Sequence, residues 1–98
     1  MGTDGTLALQ VTGRGGVPAT GVSAVALNVT VTNPTAASYL TAWPAVKARP
    51  LASNLNYLPA QTVPNMVVVK VGDGGKIDLY NQFGTVDVVV DVAGWFGG

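Results

Sequence analysis

The chain has 98 residues, 48% of them hydrophobic and only 10% charged, and five Lys and Arg balance five Asp to a formal net charge of zero. The charged share is well below the roughly 25% usual in soluble proteins, and the lack of a basic stripe argues against nucleic acid or an anionic membrane surface as partner. With no Cys, His or Glu, the chain offers no disulfide, no thiolate and few general bases.

This length predicts one domain over 1–98. No run approaches the ~18 apolar residues of a membrane-spanning helix, and Met1-Gly2 stands directly ahead of strand-like sequence with no signal peptide before it. A neutral, charge-poor surface does little to keep copies apart. Homo-oligomerisation, or packing against tandem domains of a larger chain, is therefore expected.

In chain order, Thr6–Thr12 predicts a first strand with Leu7, Leu9 and Val11 on one face, and the glycines from Gly13 to Gly16 with Pro18 end it. Val22–Thr32 is the longest alternation, setting Val25, Leu27, Val29 and Val31 against Ala24, Ala26, Asn28 and Thr30. Asn33-Pro34-Thr35 turns the chain into a return strand, Ser38–Trp43, followed by an exposed loop or bulged edge from Pro44 to Pro50. Ser53–Tyr57 reads as a short strand. Gln61–Val71 contains the apolar run Met66–Val71, typical of a strand buried on both faces. Gly72-Asp73-Gly74-Gly75 is a turn, Lys76–Asn81 its partner strand, and Thr85–Phe96 the last strand, with Val86, Val88, Val90 and Val92 on one face. No useful window shows the 3.6 period of an amphipathic helix. About seven short strands between turns predict an all-β chain, an antiparallel β-sandwich (Ig-like or jelly-roll-like) or small barrel.

The last strands can be paired by parity. A four-residue hairpin loop over residues 81–84 sets Leu79 opposite Val86 and Asp78 opposite Asp87. A five-residue loop from Gly72 to Lys76 sets Val71 opposite Ile77 and Lys70 opposite Asp78. The expected result is a charge ladder of Lys70, Asp78 and Asp87, read either as a solvated face of little energetic weight or as a cation or sugar-hydroxyl site.

Catalysis is not expected. Asp87 and Asp91, four apart on a strand, lie roughly 13 Å apart at ~3.3 Å per residue, beyond the roughly 5–9.5 Å of glycosidase carboxylates. Asp78 and Asp87 would lie on an open sheet face with no pocket to raise one pKa. A lone Asp73 among glycines falls short of a calcium loop, so no metal or cofactor is expected. Planar amides beside aromatic faces are what sugar recognition requires, and Trp43, Tyr39, Asn54, Asn56 and Tyr57 supply both types, with Trp43 foremost because it adjoins the Pro44–Pro50 loop. The same types also close the ends of a sandwich core and satisfy buried backbone. Trp95 and Phe96 are expected to cap the core.

Several segments together carry a resemblance: Gly16-Val17-Pro18-Ala19-Thr20-Gly21-Val22, Leu27-Asn28-Val29-Thr30-Val31-Thr32-Asn33-Pro34-Thr35, Ser53-Asn54-Leu55-Asn56, Gln61-Thr62-Val63-Pro64-Asn65, Tyr80-Asn81 and Asp91-Val92-Ala93-Gly94-Trp95-Phe96. Over most of its length the chain resembles a β-rich repeat module of secreted and cell-surface actinobacterial proteins. Such modules often occur in tandem or beside cell-wall hydrolase domains. The resemblance implies an extracellular, non-catalytic accessory role with a cell-surface glycan as a candidate partner. It departs at Trp95, where Tyr is commoner, and at Val46, where a turn Gly is usual. It also implies upstream sequence that is not present here, leaving an early strand open to a neighbouring copy. Two functional classes follow: a carbohydrate- or surface-binding interaction module, and a purely structural, self-associating β-domain.

Overall fold

The computed structural model describes residues 1–50 and 53–97. The strands are β1 (Gly5–Gln10), β2 (Val22–Thr32), β3 (Ser38–Pro44), β4 (Leu55–Tyr57), β5 (Val63–Lys70), β6 (Lys76–Asn81) and β7 (Asp87–Gly97). A single 3-10 turn, Asp73–Gly75, precedes β6. The strands form two antiparallel sheets, one in the order β1-β6-β3-β4 and the other β5-β2-β7. The architecture is the expected β-sandwich.

β2 is the spine of the smaller sheet. Its alternation directs Val25, Leu27, Val29 and Val31 into the interior, where all four are fully buried. At about 1.5–3 kcal/mol for each aliphatic side chain removed from water, this one face is the largest single contribution to the core. Across the interface it meets Leu40 of β3, Leu55 and Tyr57 of β4, and Ile77 and Leu79 of β6 in one hydrophobic cluster. Those residues also alternate along their strands, so one period-two rule builds both inner faces.

The two C-terminal hairpins expected from parity do not form. β6 pairs with β1 and β3, whereas β5 and β7 flank β2 in the opposite sheet. The connections after β5 and after β6 therefore cross from one sheet to the other. Parity could not separate the two outcomes. Ile77 and Leu79 share an inward direction with Val86 and Val88 whether the strands are neighbours in one sheet or face each other across the core. Tertiary packing decides it, because β2 must be paired along both edges to satisfy its backbone.

A second correction follows from this order. β5 is an edge strand, not one buried on both faces: Val67 and Val69 point inward, while Met66 and Val68 are 54% and 63% exposed. Trp95 and Phe96 do not cap the core either. They are 45% and 52% exposed: β7 is also an edge, and Phe96, opposite Ala24, lies on the outward-facing register. A bulge lies there too: Leu27 pairs with Val92 and Ala26 with Gly94, leaving Ala93 as the extra residue. Among the described residues β1 is paired along one side only, with β6.

The buried polar side chain that ties the end of the sandwich together is Asn81, with no accessible surface. Its Oδ1 accepts from the Tyr57 hydroxyl, and its Nδ2 donates to the carbonyls of Gly2 at 3.1 Å and Gly84 at 2.8 Å. One amide thus links β4, the N-terminal segment and the β6–β7 connection.

Candidate functional site

The residues expected to hold sugar split between two places. Trp43 lies on the outer face of the larger sheet yet is only 6% exposed. The turn that follows covers it, and the indole N–H donates to the Lys47 carbonyl at 3.0 Å. Next to it on the same face, Tyr80 carries the Arg49 guanidinium 3.7 Å above its ring and lies 6.3 Å from Tyr39 at 53°. The aromatic platform exists, but the chain's own 45–50 segment occupies it. The Tyr80 hydroxyl donates to Asp4; this bond and then burial raise its pKa, with the Arg49 charge opposing them.

Tyr57 points the other way, into the core, where burial raises its pKa and a hydrogen bond with Ser38 opposes the shift. Asn54 is committed to architecture: its Oδ1 accepts from the Ala42 N–H at 2.7 Å, and its carbonyl accepts from Asn65 Nδ2 at 2.7 Å. That leaves the exposed Asn56 and the half-buried Tyr39, directly opposite each other on β4 and β3, as the accessible part of the predicted set.

The charge ladder is not assembled. Asp78 is in the larger sheet, opposite Ala8 and Trp43. Lys70 pairs with Ala24 and Asp87 with Thr32, at opposite ends of β2 and so roughly 26 Å apart at ~3.3 Å per residue. Asp87 instead accepts from Asn33 Nδ2 at 3.2 Å. The cause is the sheet exchange described above, which sends β6 away from both β5 and β7.

A different feature was not legible in the sequence. The larger sheet has four strands and the smaller three. With β5 packed against β3 and β4, the other two edge strands, β1 and β7, border one cleft at the opposite side. Leu7 and Leu9 point inward with their partners Leu79 and Ile77, yet Leu7 is 44% exposed. On the other wall Val92, opposite the fully buried Leu27, is 37% exposed. Between them runs an open cleft of about 420 Å³, floored by Leu9, Val11, Leu27, Val90 and Val92, with Gln10, Arg14 and Asp91 at its rim. Among the described residues no strand pairs with the outer edge of β7, which is eleven residues long. A free edge beside an apolar cleft is a surface suited to contact, since both its backbone groups and its side chains lack cover.

No family model, curated protein or solved structure matches this chain. The functional reading therefore rests on the seam between β1 and β7 and on what its chemistry can hold. A cleft with apolar walls, one cation and one carboxylate at its rim is equipped for binding through burial and orientation.

Proposed function

We propose that the chain is a non-catalytic interaction module, a repeat unit of an exported, cell-surface protein, and that it makes contact through the seam between β1 and β7. One observation carries the reading: among the described residues no strand pairs with the outer edge of the eleven-residue β7, beside the exposed Leu7 and Val92. The extracellular and accessory parts of the reading come from the resemblance of the sequence. Glycan binding through the outer-face aromatics loses its main support, because an indole as enclosed as that of Trp43 presents no stacking face.

The test is retention of the labelled chain on intact actinobacterial cells, on their wall polysaccharide and on their surface-protein fraction. Val92→Lys, which places a charge in the cleft, should abolish retention with the circular-dichroism spectrum unchanged. Tyr39→Ala and Asn56→Ala should leave retention intact. Loss of retention in the latter pair with Val92→Lys unaffected would move the contact to the outer face and overturn the reading, as would failure of the unaltered chain to bind any fraction.

A further inference from the structure

The face of the smaller sheet turned away from the core carries an exposed apolar surface. Its centre is shallow, because the outward residues of β2 are small: Ala24 lies between Lys70 of β5 and Phe96 of β7, and Ala26 between Val68 and Gly94. Val68, Phe96 and the neighbouring Met66 are each more than half exposed, as befits a contact surface. At one edge of this sheet the Val86 N–H donates to the Met1 carbonyl at 2.9 Å, and the Met1 amine donates to the Val86 carbonyl at 2.7 Å. A strand continued alongside β7 from that pair would lie in the plane of the sheet, widening this face without covering it.

Gly94 is the second observation. Its backbone is outside the left-handed region, and a Cβ built on it would meet no atom within 4 Å. The adjacent bulge takes Ala93, not Gly94, as its extra residue. Glycine weakens a strand interior, and where neither the backbone nor a neighbour in the chain requires it, it marks the close approach of another molecule.

We propose that this face binds a second copy of the chain, as a weak two-fold dimer whose axis runs along β2. Such an axis lays β5 of each copy over β7 of the other. Val68 then faces the gap above Gly94, Lys70 extends over the Phe96 ring, where a cation is favoured, and Ala26 meets Ala26 at the axis. The charges choose the same axis. On this face β5 brings Lys70 while β7 brings Asp87 and Asp91, so setting β5 over β7 brings unlike charges together twice. An axis across the strands would instead lay β7 on β7 and crowd the carboxylates of both copies. With strands ~4.8 Å apart and the eleven residues of β2 rising ~3.3 Å each, the face covers roughly 500 Å² per copy, the size of a weak, transient interface. This surface faces away from the core-side cleft of the seam, and the inference does not rest on the seam's role.

Sedimentation velocity of the full chain should show a reversible dimer with a dissociation constant of about 0.1–1 mM. On dilution the amide shifts of Ala26, Val68 and Gly94 should move while those of Leu7 and Leu9 stay fixed. Gly94→Val, for which the single chain has room, should leave the circular-dichroism spectrum unchanged and weaken the dimer at least about tenfold. Adding Val68→Gly to it moves the projection from β5 to β7 and should restore association. Lys70→Glu, and the pair Asp87→Lys with Asp91→Lys, should each fail to self-associate. A mixture of these two variants should form the dimer, and salt should weaken that mixed pair. A chain still monomeric at about 2 mM would overturn the proposal. So would undiminished dimerisation of Gly94→Val, or concentration-dependent shifts confined to β1 and Val92. Surface retention through Val92 is measured separately, so the seam reading stands or falls independently of these results.

Discussion

Replacing Asn81 by Ala tests whether one buried amide holds three parts of the chain together. The substitution removes three side-chain hydrogen bonds, to Tyr57, Gly2 and Gly84. Their losses differ. Gly2 is exposed and Gly84 half-buried, so their carbonyls can recover water. The Tyr57 hydroxyl belongs to a residue only 3% exposed and is left with Ser38 as its remaining hydrogen-bond partner. A buried hydroxyl left wholly unpaired costs about 1–3 kcal/mol, with Ser38 holding the loss toward the lower end, and the vacated side-chain volume adds up to about 1 kcal/mol. The expected destabilisation is about 1–3 kcal/mol, a fall in Tm on the order of 5–20 °C for a domain this size. Urea unfolding of Asn81→Ala, Tyr57→Phe and the double variant measures it. Each single change removes a partner from the other side chain, so the double variant should cost less than their sum by about 1 kcal/mol. Release of Gly2 should also loosen the adjacent Met1–Val86 pair and speed amide exchange at Val86. A change below about 0.5 kcal/mol, the range of ordinary surface substitutions, or an unaltered Val86 amide would refute the reasoning.

Three further outcomes are expected. Val46 has φ of 69° and is 77% exposed; this backbone is strained for a β-branched residue, so Val46→Gly should raise stability by about 1 kcal/mol in chemical denaturation. Gly72 has an ordinary φ of −90°, yet a Cβ there would lie 2.3 Å from the Ala45 nitrogen and 2.5 Å from its oxygen. Gly72→Ala must push backbone against backbone and should cost at least about 1–3 kcal/mol in the same assay. The hydroxyls of Tyr57 and Tyr80 both ionise above their ordinary value of 10.0 in the folded chain. The native state therefore retains protons that the unfolded state releases, so their contribution is fully present below pH ~10 and is lost as pH rises through the folded values. Tyrosinate absorbance should lag in the native chain relative to the urea-unfolded chain, and denaturation midpoints should fall steadily over that alkaline range.

The sequence by itself determined the fold class and the inward face of the strands that alternate cleanly, because alternation is a local property and β-branched residues state it plainly. Val25 through Val31 and Ile77 with Leu79 are read correctly from period two alone, whereas the unbroken apolar run of β5 hid that only Val67 and Val69 point inward. Tertiary structure decided which strands are neighbours. The same inward parity serves two strands side by side and two strands face to face, so Lys70, Asp78 and Asp87 could be paired on paper while β6 lies in the other sheet. It also decided exposure: Trp43 and Tyr57 were eligible to meet a ligand until the 45–50 segment covered one and the core took the other. The open seam depends on the offset of four strands over three, a relation between sheets that no single strand's sequence contains.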